Sequence, residues 1–196
     1  MIIQVRGTSG SGKTTIVRNI MELFPPENKK PVMRTGRKQP IAYRFRHPVP
    51  EHKELAVIGH YETKCGGCDT ISTPGQSYPI IFELIRRNAE EGRNVLFEGL
   101  LISGDLKWSS QLKDLDFRII ELTTSLDECL ESINTRRKAR LEGSGKEFTP
   151  VDPNNTSSKH ALIQRCNEKL NREHGIVIEK LSREDAFNRI KELLNV

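Results

Sequence analysis

An α/β domain built on a parallel sheet flanked by helices is predicted by three observations in this 196-residue chain. The apolar run Ile2-Ile3-Gln4-Val5 opens the sequence as a buried-type strand. Gly7-Thr8-Ser9-Gly10-Ser11-Gly12-Lys13-Thr14 follows at once, spelling G-x-x-x-x-G-K-[ST] between that strand and the helical pattern Thr14 to Leu23. Short strands and amphipathic helices then alternate, which implies a parallel sheet covered on both faces, with ligands at the carboxyl ends of its strands.

The alternation is interrupted once, over residues 31–72. Ile41 to Arg46 and Leu55 to Tyr61 read as strands joined through Pro48-Val49-Pro50, an antiparallel hairpin. Thr73-Pro74 opens a helix through about Glu91, with Gly92 as its stop. Asn94 to Glu98 is a short buried-type strand ending in an acid, and Phe117 to Leu122 is the next strand. Ser125-Leu126-Asp127-Glu128 is a capping box for a helix to about Ala139. Residues 141–156, rich in Gly, Pro, Asn and Asp, read as a mobile excursion. A helix from about Ser157 to Glu173, the strand Ile176 to Ile178 and a last helix capped by Ser182 to Asp185 complete one domain, residues 1–196. At this length a single core buries roughly 70% of the unfolded chain's surface.

Composition narrows the classes. No window approaches the ~20 apolar residues of a membrane span, and the N-terminus enters a core strand, so a cytoplasmic protein without a membrane partner is expected. The four cysteines are too few and scattered for a disulfide framework, and Cys129 and Cys166 fall in helical patterns as core thiols. The net charge is +5, yet between Lys29 and Lys64 nine basic residues stand against three acidic ones. A surplus gathered in one segment favours a polyanionic partner.

Gly7, Thr8, Ser9, Gly10, Ser11, Gly12, Lys13, Thr14 and Thr15 form a phosphate cradle, the glycines turning backbone N–H groups toward a phosphate chain at a helix start. Lys13 reaches the β and γ phosphates of ATP, and the Thr14 hydroxyl holds Mg²⁺. The fold is therefore that of a P-loop NTPase of nucleotide-kinase-like type, with a β-hairpin substrate insertion at about 31–72 and an arginine-bearing lid at about 136–156. Glu98 can face Mg²⁺ or accept a proton from an acceptor hydroxyl, and Asp69 competes with it for the base role. Arg136 and Arg140, four residues apart, share a helix face and can close over the phosphates; favourable charge at a helix C-terminus is the alternative for these arginines and Arg137. Cys65 and Cys68, with His60 nearby, make half of a zinc spacing, and Cys65-Gly66-Gly67-Cys68 equally suits a tight loop against substrate. Tyr43, Phe45 and Tyr61 interleave with Arg37, Arg44 and Arg46, either to hold an unstacked nucleotide or as the hairpin's buried face, and Arg34 of the same basic segment is a further substrate-binding candidate.

Three segments together, Gly7 to Thr15, Gly59-His60-Tyr61-Glu62-Thr63-Lys64-Cys65-Gly66-Gly67-Cys68-Asp69-Thr70 and Asn94 to Leu101, resemble the bacteriophage P-loop kinases that phosphorylate 5-hydroxymethyluracil within DNA. The similarity spans nearly the whole chain, and the H-Y-E-T-x-C-G-G-C-D-T run is its specific part. The resemblance implies ATP-dependent transfer of the γ-phosphate to the base's hydroxymethyl oxygen, a step in thymidine hypermodification, with modified DNA as partner.

Overall fold

β1 (Ile2–Arg6) is buried at every position and lies inside a seven-stranded sheet. The computed structural model describes residues 1–63, 65–71 and 75–196. Among these the sheet order is β2 (Lys29–Val32), β3 (Ala42–Phe45), β4 (Leu55–Ile58), β5 (Asn94–Glu98), β1, β6 (Phe117–Leu122) and β7 (Val177–Leu181). β4, β5, β1, β6 and β7 run parallel, so their carboxyl ends meet along one rim. β3 runs antiparallel to both neighbours. The register of β1 sets Val5 opposite Glu98 and Arg6 opposite Glu121.

The helices divide between the faces. α1 (Lys13–Glu22) buries Ile16, Val17, Ile20 and Met21, spaced for one helical face, and packs with α6 (Arg183–Leu194) over Ile3, Val5, Leu96 and Ile120. α2 (Ser77–Glu90), α3 (Leu100–Ser103) and α5 (Pro153–His174) cover Ile2, Val95, Phe97 and Ile119 on the other side. Each such side chain, fully buried, contributes roughly 1.5–3 kcal/mol. α4 (Leu126–Leu141) buries just Cys129 and Ile133, and so flanks the domain at the rim instead of roofing the sheet. Its capping box forms as the spacing predicts, Ser125 accepting from Glu128 N while the Glu128 carboxylate accepts from Ser125 N.

Two expectations change. The predicted hairpin exists, but it does not interrupt the sheet: β4 pairs parallel with β5, and β3 and β2 extend the sheet sideways from it. β2 is an added strand that the sequence reading passed over, since Lys29-Lys30-Pro31-Val32 carries no alternating apolar pattern. The excursion after α4 is also shorter than expected: Asp152 caps Asn154 N at 2.9 Å, and Pro153 starts α5 four residues early. The Thr73-Pro74 helix opening lies outside the described residues, and α2 begins at Ser77.

The interleaved aromatics are core. Tyr43 is fully buried, Phe45 and Tyr61 nearly so, and all three pack on the α1 side of the sheet. Their alternation with arginines follows from the two-residue period of a strand, which sends Tyr43 inward and Arg44 to the other face. Tyr43 Oη lies 3.0 Å from His60 Nδ1 and accepts from Tyr61 N at 3.4 Å, closing off the ring from any base. Arg44 pairs with Glu91 at 3.2 Å, beside the amino end of β5 and away from the carboxyl-end rim. Tyr43→Phe should therefore lower stability by about 1–2 kcal/mol in urea unfolding, taking the hydroxyl partner from His60 Nδ1 and Tyr61 N. It should not alter the salt dependence of any nucleic-acid binding.

Candidate active site

The rim of β1 and β5 brings the P-loop and Glu98 together. Lys13, at the first position of α1, is almost wholly buried, and its Nζ donates to Gly7 O at 2.8 Å and Thr8 O at 2.9 Å. Burial lowers its pKa, opposed by the charges of Glu98 and Asp69. Thr14 Oγ1 donates to Glu98 Oε1 at 2.8 Å. Thr8 Oγ1 and Ser11 Oγ are buried without a hydrogen-bond partner among the described residues, two donors facing no protein acceptor in the cradle. Ser11 O is held by Thr124 Oγ1 at 3.0 Å and Arg183 Nε at 3.1 Å, so the loop is braced from the segment after β6 and from α6. Ser9 and Gly10 are half-buried in the same loop, and Thr15 is exposed on α1.

The Cys65–Cys68 segment closes over this pair. Gly67 N donates to His60 O at 3.0 Å, and Thr70 Oγ1 donates to Gly67 O at 2.6 Å, folding the segment back on the end of β4. Gly67 has φ +86°, and a Cβ there would stand 2.3 Å from Glu98 Oε1; a Cβ at Gly66 would stand 2.7 Å from Thr14 Cγ2. Glycine is thus required twice for backbone to approach the carboxylate and the P-loop helix this closely. The zinc alternative finds no support in the geometry: Cys68 is buried and donates to Ile58 O, Cys65 is exposed, and among the described residues no cluster of three metal-binding side chains forms.

Asp69 and Glu98 separate into different environments. Asp69 is exposed at the mouth, its Oδ2 accepting from Leu100 N at 2.6 Å and its Oδ1 from Leu101 N at 3.1 Å, so it caps α3. Glu98 is 2% exposed, and burial raises its pKa from 4.5 to about 7 against the opposing pull of Lys13 and the Thr14 hydroxyl. A carboxylate balanced near neutrality is suited to taking a proton.

The arginines of α4 also separate. Arg140 Nη2 stands 2.9 Å from Cys65 Sγ, bridging α4 to the glycine loop, and the charge of Arg136 acts on Lys13. Arg137 instead donates to Thr149 O at 3.1 Å, tying down the segment that follows the helix. Arg37 Nη2 donates to Thr70 O at 2.9 Å, which brings the basic 33–40 loop, half-buried Arg34 included, to the Asp69 side of the mouth.

Relatives in known proteins share this whole chain. It is 40% identical over 197 residues to a 5-hmdU DNA kinase of Pseudomonas phage PaMx11, covering 98% of this chain and 96% of that protein. The chain belongs to the 5-hmdU DNA kinase family. A second member, from Pseudomonas phage M6, is 26% identical over 210 residues, covering 98% of this chain and 96% of that protein. No family model matches the chain. Among solved structures, a deoxyadenosine kinase from M. mycoides with products dCMP and a flexible dCDP bound aligns over 100% of this chain and 99% of its own, at 11% identity and a TM-score of 0.44.

In this member of the 5-hmdU DNA kinase family, two residues passed over in the sequence join the site. Arg18 donates to Tyr61 O at 3.1 Å and also to Thr63 O, fastening the segment between β4 and the glycine loop. It lies four residues beyond Thr14, on the same face of α1, and that spacing could have found it. Arg183 opens α6 just beyond β7, where carboxyl-end loops of a parallel sheet converge.

Because Glu98 has a folded pKa above its ordinary value, the native state holds an extra proton between about 4.5 and 7. Its contribution to stability is full below pH 4.5 and is lost as pH rises through about 7. Glu98→Gln should accordingly stabilise the nucleotide-free protein by about 2–3 kcal/mol at pH 8 and by far less at pH 5, read from urea midpoints at the two pH values.

Proposed function

We propose that this chain transfers the γ-phosphate of ATP to the hydroxymethyl oxygen of 5-hydroxymethyluracil within DNA, as the names of its relatives suggest. The observation that carries the reading is the meeting of the P-loop hydroxyl Thr14 with buried Glu98 beneath the Cys65–Cys68 segment. A triphosphate seated on residues 7–15 draws the Lys13 ammonium from the Gly7 and Thr8 carbonyls to its β and γ phosphates. The Thr14 hydroxyl is an oxygen donor of the kind magnesium takes and would hold the ion directly, while Glu98 beside it would face the ion through water and keep its carboxylate free for a proton. When bound, that ion neutralises charge on the β and γ phosphates.

The acceptor side follows from where the carboxylates stand. Glu98 takes the proton as the hydroxymethyl oxygen forms its bond to the γ phosphorus, while the bond from that phosphorus to the β-phosphate oxygen breaks and ADP leaves. Asp69, engaged by two amides of α3, positions the lip of the site. Arg136 and Arg140 place guanidinium charge over the migrating group, and Arg140 also links α4 to the loop that covers it. Arg34 and Arg37 meet the phosphate backbone of the DNA.

Incubation with ATP and duplex or single-stranded DNA containing 5-hydroxymethyluracil, followed by nucleoside mass spectrometry, should yield the phosphorylated base. Faster phosphorylation of the free nucleoside than of either DNA would overturn the reading. Lys13→Ala should lower turnover at least ~100-fold, and Glu98→Gln should lower kcat by ~10²–10⁴ with ATP binding kept. Arg37→Ala should reduce the slope of log affinity against log salt by about 1, measured by titration of labelled DNA.

A further inference from the structure

Glu98 is 2% exposed and lies beneath the glycine loop, whereas the hydroxymethyl arm of a stacked base projects a short way into the major groove. A base still in the stack cannot bring that oxygen to a carboxylate at the floor of a cleft, so the nucleotide must leave the helix. Extrusion opens a gap between base pairs, and proteins that unstack DNA commonly fill such gaps with an apolar side chain.

Leu101 has the placement for this. It is 57% exposed, the largest exposure among the large hydrophobic side chains described, and it follows Glu98 by three residues at the lip of the same cleft. Its backbone is held at both ends: its N–H by Asp69 Oδ1 at 3.1 Å, its carbonyl by the Tyr78 hydroxyl at 3.1 Å. An exposed leucine on a backbone fixed by a carboxylate and a phenol keeps an apolar side chain pointed at solvent with little freedom to fold away. Behind it lies a slot of about 50 Å³ between Asp69, Ile71, Tyr78 and Ile102, far below the ~300 Å³ of a small-molecule site, so no base is seated there. Cationic groups flank the lip: Arg37 at Thr70 and Arg140 at Cys65. Charge to hold the strands and an apolar tip between them match a duplex and not a free nucleoside.

We propose that Leu101 is a wedge that enters the base stack of duplex DNA and occupies the place of the extruded 5-hydroxymethyluracil. The inference rests on the DNA-kinase reading and adds to it the positioning residue that opens the substrate. Leu101 acts on the opening of the duplex and not on phosphoryl transfer, so its effect is read as a ratio. Leu101→Ala should lower the duplex-to-single-strand ratio of kcat/KM at least tenfold, Leu101→Met should restore most of it, and a mismatch opposite the target should rescue the alanine variant. Val177→Ala, removing a comparably exposed side chain from the far, amino end of β7, should leave the ratio unchanged. Independently, 2-aminopurine placed beside the target in a duplex should brighten when the parent protein binds without ATP, and should stay dim with Leu101→Ala. An unchanged ratio together with unchanged fluorescence in Leu101→Ala overturns the wedge alone, as does a parent enzyme that phosphorylates single strands and leaves duplexes untouched. A parent enzyme that phosphorylates the free nucleoside in preference to either DNA overturns the DNA-kinase reading and the wedge with it.

Discussion

The contact between Thr14 and Glu98 is the constraint on which the site depends. It requires β1 and β5 to be parallel neighbours in the register that sets Val5 opposite Glu98, since that pairing carries the helix start after β1 and the acid at the end of β5 to one rim. It also requires a carboxyl group to be taken out of water. The protein offsets that cost with the Lys13 charge and the Thr14 hydroxyl, and leaves the group with a pKa of about 7. A fully solvated carboxylate would be too weak a base, and one held by a strong ion pair weaker still. With Glu98 as the proposed base, the partial compensation would be a chemical setting as much as a structural one. The close passage of Gly66 and Gly67 excludes solvent from the same contact.

What the sequence makes legible is what local spacing encodes. The P-loop motif, the acid ending β5 and the Ser125 and Ser182 caps each depend on residues within a few positions of one another, and all are found in the fold. Features set by distant partners were not legible. Asp69 reads as a turn acid or a base, and its capping of α3 depends on residues 31 and 32 positions later. α3 is a four-residue helix with too few positions to show a period. Strand alternation says that Tyr43 and Arg44 face opposite ways but not which face is covered, and the burial of Tyr43 follows from α1 lying on that side. Arg6 is the extreme case. A fully buried arginine, it donates to Gln4 Oε1, Asn167 Oδ1, Ser109 Oγ and Asp105 O, tying β1 to α5 and to the segment after α3. Burial pushes its pKa down to about 10, so it keeps its charge. Nothing in its neighbourhood in the sequence announces that role.

The three arginines at the end of α4 each take a different partner. Arg140 reaches Cys65 of the glycine loop, Arg136 donates to Ser132 O one turn back at 3.3 Å, and Arg137 fastens Thr149. Val151 N donates to Asn134 at 2.8 Å and Lys138 lies over the Phe148 ring, so the 142–152 segment is stitched back to α4 along its far half. Gly143 and Gly145, both at positive φ, turn the near half, where Ser144 Oγ donates to Leu141 O at 2.7 Å and accepts from Lys146 N at 3.3 Å. Arg136 and Arg140 lie on α4 itself, so bending of that segment leaves both arginines in place.

The sideways growth of the sheet explains how a basic insertion can serve a site it does not cover. β2 and β3 lengthen the platform beyond β4, and the chain linking them returns along the carboxyl-end rim, where Arg37 docks on Thr70. Along the outer edge, Pro31 removes one backbone donor and Lys29 and Lys30 add charge, which discourages pairing with another strand. The basic residues that remain within reach of a ligand are therefore those of the 33–40 loop, set beside Asp69 and Leu101 on the rim. A long polyanion lying along that rim meets cations before its base meets the cleft. On the proposed function, charge selects the polymer and depth selects the modified base, because the floor of the cleft would accept a group only after it has left the stack.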